Sequence, residues 1–434
     1  MLANFFESFN IVAFLFKVVG ILMPFPLAYV AVNLWHHYRN ERFIEGIQWV
    51  LLEIQLPREM NKTPAAMELV FSNAFYHKSS KGFWELYIQG AVWFWFSLEM
   101  ISVDGKVHFF IRTPSRIRDL VETQIYGQFP QAKVTEVEDY VYHVPQYKKN
   151  GSFNMWGCEF TKKKHDAYPI KTYKDWGDEM KTGQKEEFKI DPLTPTIEYL
   201  GSLRKGEQVW IQIIVRQSLK TWHSHRTGRH EKIYEAAIDE LFRITAPYTR
   251  HQKNEDSPPD NLTFAKDIRT PEPIKPFIKA VTDHMSQVHY DCGIRVVAIA
   301  DKKYITDERF NNLRREVRLL FRQFSSPSIN ELHRINSTQF DAPWSDPTGL
   351  ALTKMKKKML DWYRLRIFYN VPIQYNFKYP NLIKNFFPPG RPEIFVVSSE
   401  ELATLFHFPG MVSETPTFKR IESRIAKPPS NLPS

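Results

Sequence analysis

His223, Ser224 and His225, with His230 five residues further on, form the one cluster in this 434-residue chain whose residue types suit a metal ion. Imidazoles so spaced share a zinc or copper ion. Lys220, Arg226, Arg229 and Lys232 surround them, and that charge repels a cation while favouring phosphate, so the segment reads as a solvated basic loop. The carboxylate pairs Asp178-Glu179 and Glu186-Glu187 lie in polar, turn-like sequence and read as surface. No GxxxxGK[ST], GxGxxG, HExxH or GxSxG string occurs, which removes the local signatures of nucleotide hydrolysis, dinucleotide binding, zinc proteolysis and the serine elbow. No cofactor, no resident metal and no catalysis are expected.

The remaining chemistry is cationic. Arg309, Arg314, Arg315, Arg318 and Arg322 fill the positions left free by Phe310, Leu313, Val317, Leu320, Phe321 and Phe324 on a helix expected over 307–324. Such a flank presents planar forks that match phosphate; its alternative is a solvated face paired with Asp307, Glu308 and Glu316. Lys354, Lys356, Lys357, Lys358, Arg364 and Arg366 form a second basic set on a helix expected over 352–366, with Leu352, Met355, Met359 and Trp362 along its apolar stripe. That set either touches a membrane surface or is simply the soluble back of a packed helix.

The element that sets where this chemistry happens is 11–35, IVAFLFKVVGILMPFPLAYVAVNLW, whose single charge is Lys17. At 1.5 Å per residue it makes a rod of roughly 37 Å, enough to cross a hydrocarbon core of about 30 Å. It is expected to be a transmembrane helix kinked at Pro24 and Pro26, with Ile11, Phe14, Leu22 and Trp35 among the anchoring side chains. Residues 1–10 carry Glu7 and no Lys or Arg, unlike a cleaved leader. Arg39 and Arg42 follow the rod, so the positive-inside rule puts the N-terminus outside and the bulk in the cytoplasm at the inner membrane. A formal charge of +10 and a pI near 9.2 favour anionic lipid or nucleic acid as neighbours. Two distant cysteines, Cys158 and Cys292, offer no disulfide framework, and 43% hydrophobic with 24% charged residues is the make-up of a folded protein.

Behind the anchor and basic flank (1–42), periodicity predicts an α+β domain over 43–150. A strand at 49–56 precedes a helix opened by Thr63-Pro64 and striped by Met67, Val70, Phe71, Ala74 and Phe75. Strands 94–102 and 106–112 turn at Asp104-Gly105; a helix over 115–129 and a strand at 133–141 complete a ferredoxin-like β-α-β-β-α-β order. An RNA-recognition domain shares that order, but the third strand, KVHFFIR from Lys106, lacks the motif's glycines, so His108 and Phe110 read as packing residues. Residues 151–340 repeat the scheme: a strand over 154–164, a Thr194-Pro195 helix start, a strand over 207–216 with Val209, Ile211, Ile213 and Val215 on one face, and a strand over 293–301. This second unit carries an insertion over 218–292, helical around 232–245. A C-terminal extension, 341–434, adds the basic helix, strands over 371–379 and 394–397, a Ser398/Glu401 capping box and a Pro-rich tail.

The strings NKTPAAMELVFSNAF from Asn61, FFIRTPSRIRDLVETQIYGQFP from Phe109, DPLTPTIEYLGSLRKGEQVWIQIIVR from Asp191, EELATLFHFPG from Glu400 and KPPSNLP from Lys427 resemble the membrane-proximal, non-motor region of bacterial conjugal-transfer and type IV secretion coupling proteins. In fused members of that family a RecA-like P-loop ATPase follows a segment like the closing one, whereas this sequence stops at Ser434. The resemblance implies a non-catalytic scaffold that docks a separately encoded P-loop ATPase or guides DNA or protein to it, and a homo-oligomer matched to a motor ring. The alternative is a membrane-associated nucleic-acid-binding protein using the arginine flank.

Overall fold

The computed structural model describes residues 14, 17–57, 63–75, 81–178, 191–218, 222–223, 230–231, 233–245, 271–326, 329–340, 344, 346–369 and 393–409. Ile11, His225, the pair Glu186-Glu187, the strand expected over 371–379 and the Pro-rich tail lie outside the described residues. Two compact units emerge. One comprises Met1–Gln48, Ser79–Phe94 and Asn370–Lys378, the other Trp49–Lys78, Trp95–Tyr369 and Tyr379–Ser434.

In the first unit an apolar helix runs over Lys17–Glu45 and is long enough to cross a membrane. Where a proline kink was expected, Met23 forms a turn and the helix resumes as α1 (Pro24–Glu45) with Pro24 at its first position. A first-turn proline lacks only an N–H that would have no partner in its own segment, so the restart costs little. Among its described residues the unit's other regular element is a π-helical turn, Trp84–Gln89, closed by Gly90 at φ +73°.

The second unit is α+β and is built on one antiparallel sheet of nine strands. In chain order its elements are β1 (Trp49–Gln55), α2 (Pro64–Ala74), β2 (Phe96–Val103), β3 (Lys106–Pro114), α3 (Arg118–Gln128), β4 (Lys133–Val137), β5 (Phe153–Lys162), α4 (Tyr173–Asp178), α5 (Thr194–Gly201) and β6 (Glu207–Gln217). Then come a small pair, β7 (Trp222–His223) and β8 (His230–Glu231), α6 (Ile233–Thr245), α7 (Lys275–Met285), β9 (His289–Asp301), α8 (Asp307–Val317), β10 (Leu332–Ile335), α9 (Leu350–Leu365), β11 (Phe395–Ser398) and α10 (Ser399–Leu405).

The strand order is β10-β5-β9-β6-β2-β3-β1-β4, with β11 added against the start of β9. β2 pairs with β6 from Phe96↔Val215 to Val103↔Gln208, so the strands of both sequence halves form one sheet. Asp104 and Gly105, at φ +53° and +78°, make the β2–β3 turn, the geometry for which the Asp-Gly pair was read. α8 is shorter than expected. Its regular helix ends at Val317 although Leu320, Phe321 and Phe324 stay buried beyond it.

Alternation along each strand serves two faces. Val209, Ile211, Ile213 and Val215 share one core with Met67 and Phe71 of α2, Val121 of α3, Leu313 of α8 and Leu402 of α10. Trp210, Val297, Ile299, Phe110 and Met155 point the other way and meet Met359, Leu360 and Tyr363 of α9. At Gly157 of β5 an added Cβ would sit 2.8 Å from Met359 Cγ, so the missing side chain lets α9 lie close.

Beneath α9 one register row crosses the sheet: Glu53, Phe110, Glu99, Gln212, Arg295 and Glu159 are successive cross-strand partners. Glu99, Gln212, Arg295 and Glu159 are fully buried, a cost that only pairing offsets. Arg295 pairs with Glu159 at 2.5 Å. Arg366, the left-handed residue that ends α9, donates from Nε and Nη2 to the two oxygens of Glu99 at 2.9 and 3.0 Å. Burial pushes the Glu99 carboxyl upward, and Arg366 with Ser97 and Tyr140 outweighs it, leaving Glu99 below the ordinary value. Gln212 Nε2 donates to Tyr363 O, and the Tyr140 and Tyr363 hydroxyls meet at 2.7 Å. These bonds fix the C-terminal end of α9 on the sheet.

Candidate functional site

Two features offer chemistry to an outside partner, one in each unit. In the first unit the membrane-length window has none of its residues buried. Phe14, Leu22 and Trp35, three of the four anchoring residues read from the sequence, are 65%, 59% and 53% exposed. Leaving Leu, Val, Ile and Phe in water over a whole helix forfeits the transfer free energy that stabilises folded chains. The π-helical turn is clipped to the end of this rod. Arg39 Nε donates to Ile88 O at 2.7 Å, the His36 and Tyr87 rings lie 5.3 Å apart, and Gly90 sits so close that a Cβ there would overlap the Arg39 carbonyl. Held this way, Phe83, Trp84 and Tyr87 stay exposed beside Trp35 and Tyr38. Aromatic side chains of this kind gather where hydrocarbon gives way to water. Sequence reading missed this turn, although the string GFWELY from Gly82 carried the signal.

In the second unit the five arginines separate. Arg309 is spoken for, donating to Glu207 at 2.6 and 3.1 Å and to Glu316 at 3.0 Å. Arg318 caps α8, donates to Gln339 and lies 5.5 Å from the Trp156 ring centroid. Arg315 and Arg322 are exposed. Arg314 turns into a cavity of about 320 Å³ beside the first half of β5, and Lys356 of α9 enters the same cavity. The structure thus brings one member of each basic set together. Trp156, Phe310 and Phe340 give the cavity apolar wall, and Gln339 gives it a polar one.

Neither cation in the cavity has a carboxylate in ion-pair range among the described residues. Arg314 Nε is buried without a hydrogen-bond partner, and burial with the charge of Arg315 lowers its pKa. Among the described residues Lys356 meets only Tyr147, weakly through its hydroxyl at 3.4 Å and over its ring at 5.1 Å from the centroid; burial, then Arg314 and Lys302, bring its ammonium down to about 8. Asp346 also lines the cavity, but its carboxylate accepts from Leu352 N at 2.8 Å and from the Thr348 hydroxyl at 3.2 Å, occupied in closing the first turn of α9.

Other residues singled out in the sequence have structural roles. His108 pairs with Glu53 at 2.7 Å, and Phe110 is buried and stacked on Tyr140, so neither offers a free platform for a base. His223 and His230 are opposite each other in the β7–β8 pair. Among the described residues no three His, Cys, Asp or Glu side chains are grouped to hold a metal ion.

Residues 36–330 match the profile of a family described as a domain of unknown function, DUF8128. The chain belongs to this family. The DUF8128 match takes in β1 to β9 and α8, hence Arg314, and ends before β10 and α9, which brings Lys356. No curated protein matches the chain.

Proposed function

We propose that this DUF8128 protein is a membrane-anchored, non-catalytic scaffold of a conjugation or type IV secretion-like translocation system, docking a motor ATPase or guiding its substrate. In this reading the helix Lys17–Glu45 crosses the inner membrane with its N-terminus outside, and the sheet-based unit stands in the cytoplasm. The apolar window of this helix, none of whose residues is buried, carries the proposal, because only a lipid environment or an equally apolar partner stabilises such a surface. The aromatic turn at its end supports the bilayer as that environment. Support for the scaffold half comes from the strand order: β4-β1-β3-β2 and β10-β5-β9-β6 are each the 4-1-3-2 order of a ferredoxin-like unit. We read the body as two such units in tandem, joined edge to edge through β2 and β6, with the second carrying the insertion.

The test is carbonate extraction of membranes followed by affinity purification in mild detergent. Retention in the carbonate pellet and recovery of a P-loop ATPase with the protein are expected. Release by carbonate as a monodisperse, detergent-free species refutes the anchor, and repeated purification without an ATPase refutes the docking role. A second reading, nucleic-acid contact, is favoured by the exposure of Arg315 and Arg322. It requires DNA affinity that falls steeply with salt, because each neutralised phosphate releases counterions; a weak, flat salt response removes it.

A further inference from the structure

Two cations half-buried in one cavity, repelling each other and with no carboxylate in ion-pair range among the described residues, are an expensive arrangement that a bound anion would turn favourable. From this we infer that the cavity between α8 and α9 is a binding site for a phosphomonoester, with Arg314 and Lys356 as its phosphate ligands. The inference stands apart from membrane anchoring, since every residue it uses lies in the second unit.

The shape of the site points to an ester rather than to a bare ion. About 320 Å³ is several times what one phosphate fills. The remaining wall is Trp156, Phe310 and Phe340, suited to the organic part of the molecule. Arg314 offers a planar fork for two phosphate oxygens and Lys356 a compact charge on a flexible stem. Both are held in place. α8 is fixed through Arg309 to Glu207, and α9 through Asp346 at its start and Arg366 at its end. Asp346 lines the same cavity and disfavours an anion near its own carboxylate, so a ligand's charge is favoured only beside Arg314 and Lys356.

Calorimetric titration of the full-length protein in detergent micelles at low salt and pH 7 tests this, with inorganic phosphate, glycerol phosphate and a nucleoside monophosphate as separate ligands. Saturable binding is expected, weakened about ten- to hundredfold in Lys356→Met and in Arg314→Met, the loss of one charged hydrogen bond, and retained in Lys356→Arg. Lys133→Met, exposed on β4 at the other end of the sheet, is the control and binds as wild type. Because each Met variant removes an uncompensated charge, its melting temperature equals or exceeds that of wild type, which separates loss of a ligand contact from loss of fold. Preference for glycerol phosphate points to a lipid headgroup and preference for the nucleotide to a nucleotide, and either supports the site; equal binding of inorganic phosphate shows that the apolar wall is not read and overturns the assignment to an ester. Absence of saturable binding by all three, or binding that survives both Met substitutions, overturns it.

Discussion

Glu401 is the carboxylate on which the C-terminal segment turns. It is fully buried, pairs with Lys162 at 2.8 Å and with His284 Nε2 at 3.0 Å, and accepts from the backbone N–H groups of Ile170 and Ser398 at 2.7 and 2.8 Å. Burial pushes its carboxyl upward, but Lys162 and His284 outweigh that and bring it from 4.5 to about 2. At ~1.4 kcal/mol per decade of acidity, that depression corresponds to about 3 kcal/mol of folding free energy at neutral pH. A folded-state value below the unfolded one contributes stability that is complete above pH 4.5 and disappears as pH falls through 2. Glu401→Gln keeps the shape and removes the charge, stranding a buried Lys162 ammonium; the expected cost at pH 7 is about 3–5 kcal/mol, that of breaking one partner out of a buried pair. Urea unfolding of the full-length protein in micelles, followed by tryptophan fluorescence, measures it, and the gap between variant and wild type should close as pH is lowered from 4.5 to 2. A loss under about 1 kcal/mol at pH 7, or a gap that stays constant over that window, would show that Glu401 does not carry the charge ascribed to it.

His289 gives a second window. Burial, then the neighbouring His284, lowers it from 6.5 to about 4, so between those values the unfolded chain takes up a proton the folded one refuses; stability should fall from pH 6.5 to 4, and His289→Phe should flatten that limb in the same urea assay. Gly293→Ala drives a methyl into the Phe368 ring and should cost on the order of 1–3 kcal/mol by overpacking, read as a lowered urea midpoint. Gly90→Ala adds a Cβ at φ +73° against the Arg39 carbonyl, so the aromatic turn should detach from α1 and a disulfide engineered between positions 36 and 87 should form markedly more slowly than in the parent.

Local patterning made much of this fold legible. The alternation at 209–215, the Asp104-Gly105 turn, the Thr-Pro helix starts and the Ser398 capping box all describe neighbours a few residues apart, where propensity and geometry decide. Periodicity overran at α8 because it reports burial rather than helix: Leu320, Phe321 and Phe324 stay inside through a turn and a short 3-10 segment. α7 was missed inside the 218–292 insertion, for which a helix was expected only around 232–245. The charged row under α9 went unread for another reason. Glu99 and Arg366 are 267 residues apart, and no local pattern links them. Even so, a lone Glu, Gln or Arg in the middle of an apolar strand, as in SLEMIS, WIQII and GIRVV, signals a buried partner elsewhere, since an unpaired charge there would be prohibitive.

The two cations in the cavity and the charged row belong to one energetic argument. Arg314 and Lys356 come from helices on opposite faces of the sheet and repel each other, so nothing in the cavity itself draws them together. What holds Lys356 there is α9, clamped by Arg366 on Glu99 and Asp139, by Gln212 on Tyr363 O and by Tyr140 on the Tyr363 hydroxyl. Glu99 lies on β2 and Gln212 on β6, the two strands that join the sequence halves. On the opposite face α10 does the equivalent work, its Ser399 hydroxyl bonded to Glu68 of α2 and its Glu401 to Lys162 of β5. α9 and α10 therefore hold the junction from both faces, and their docking free energy is what keeps two like charges facing one cavity. Unless it is occupied by an anion, that cavity is a standing cost to the fold, which is the physical reason for seeking its ligand.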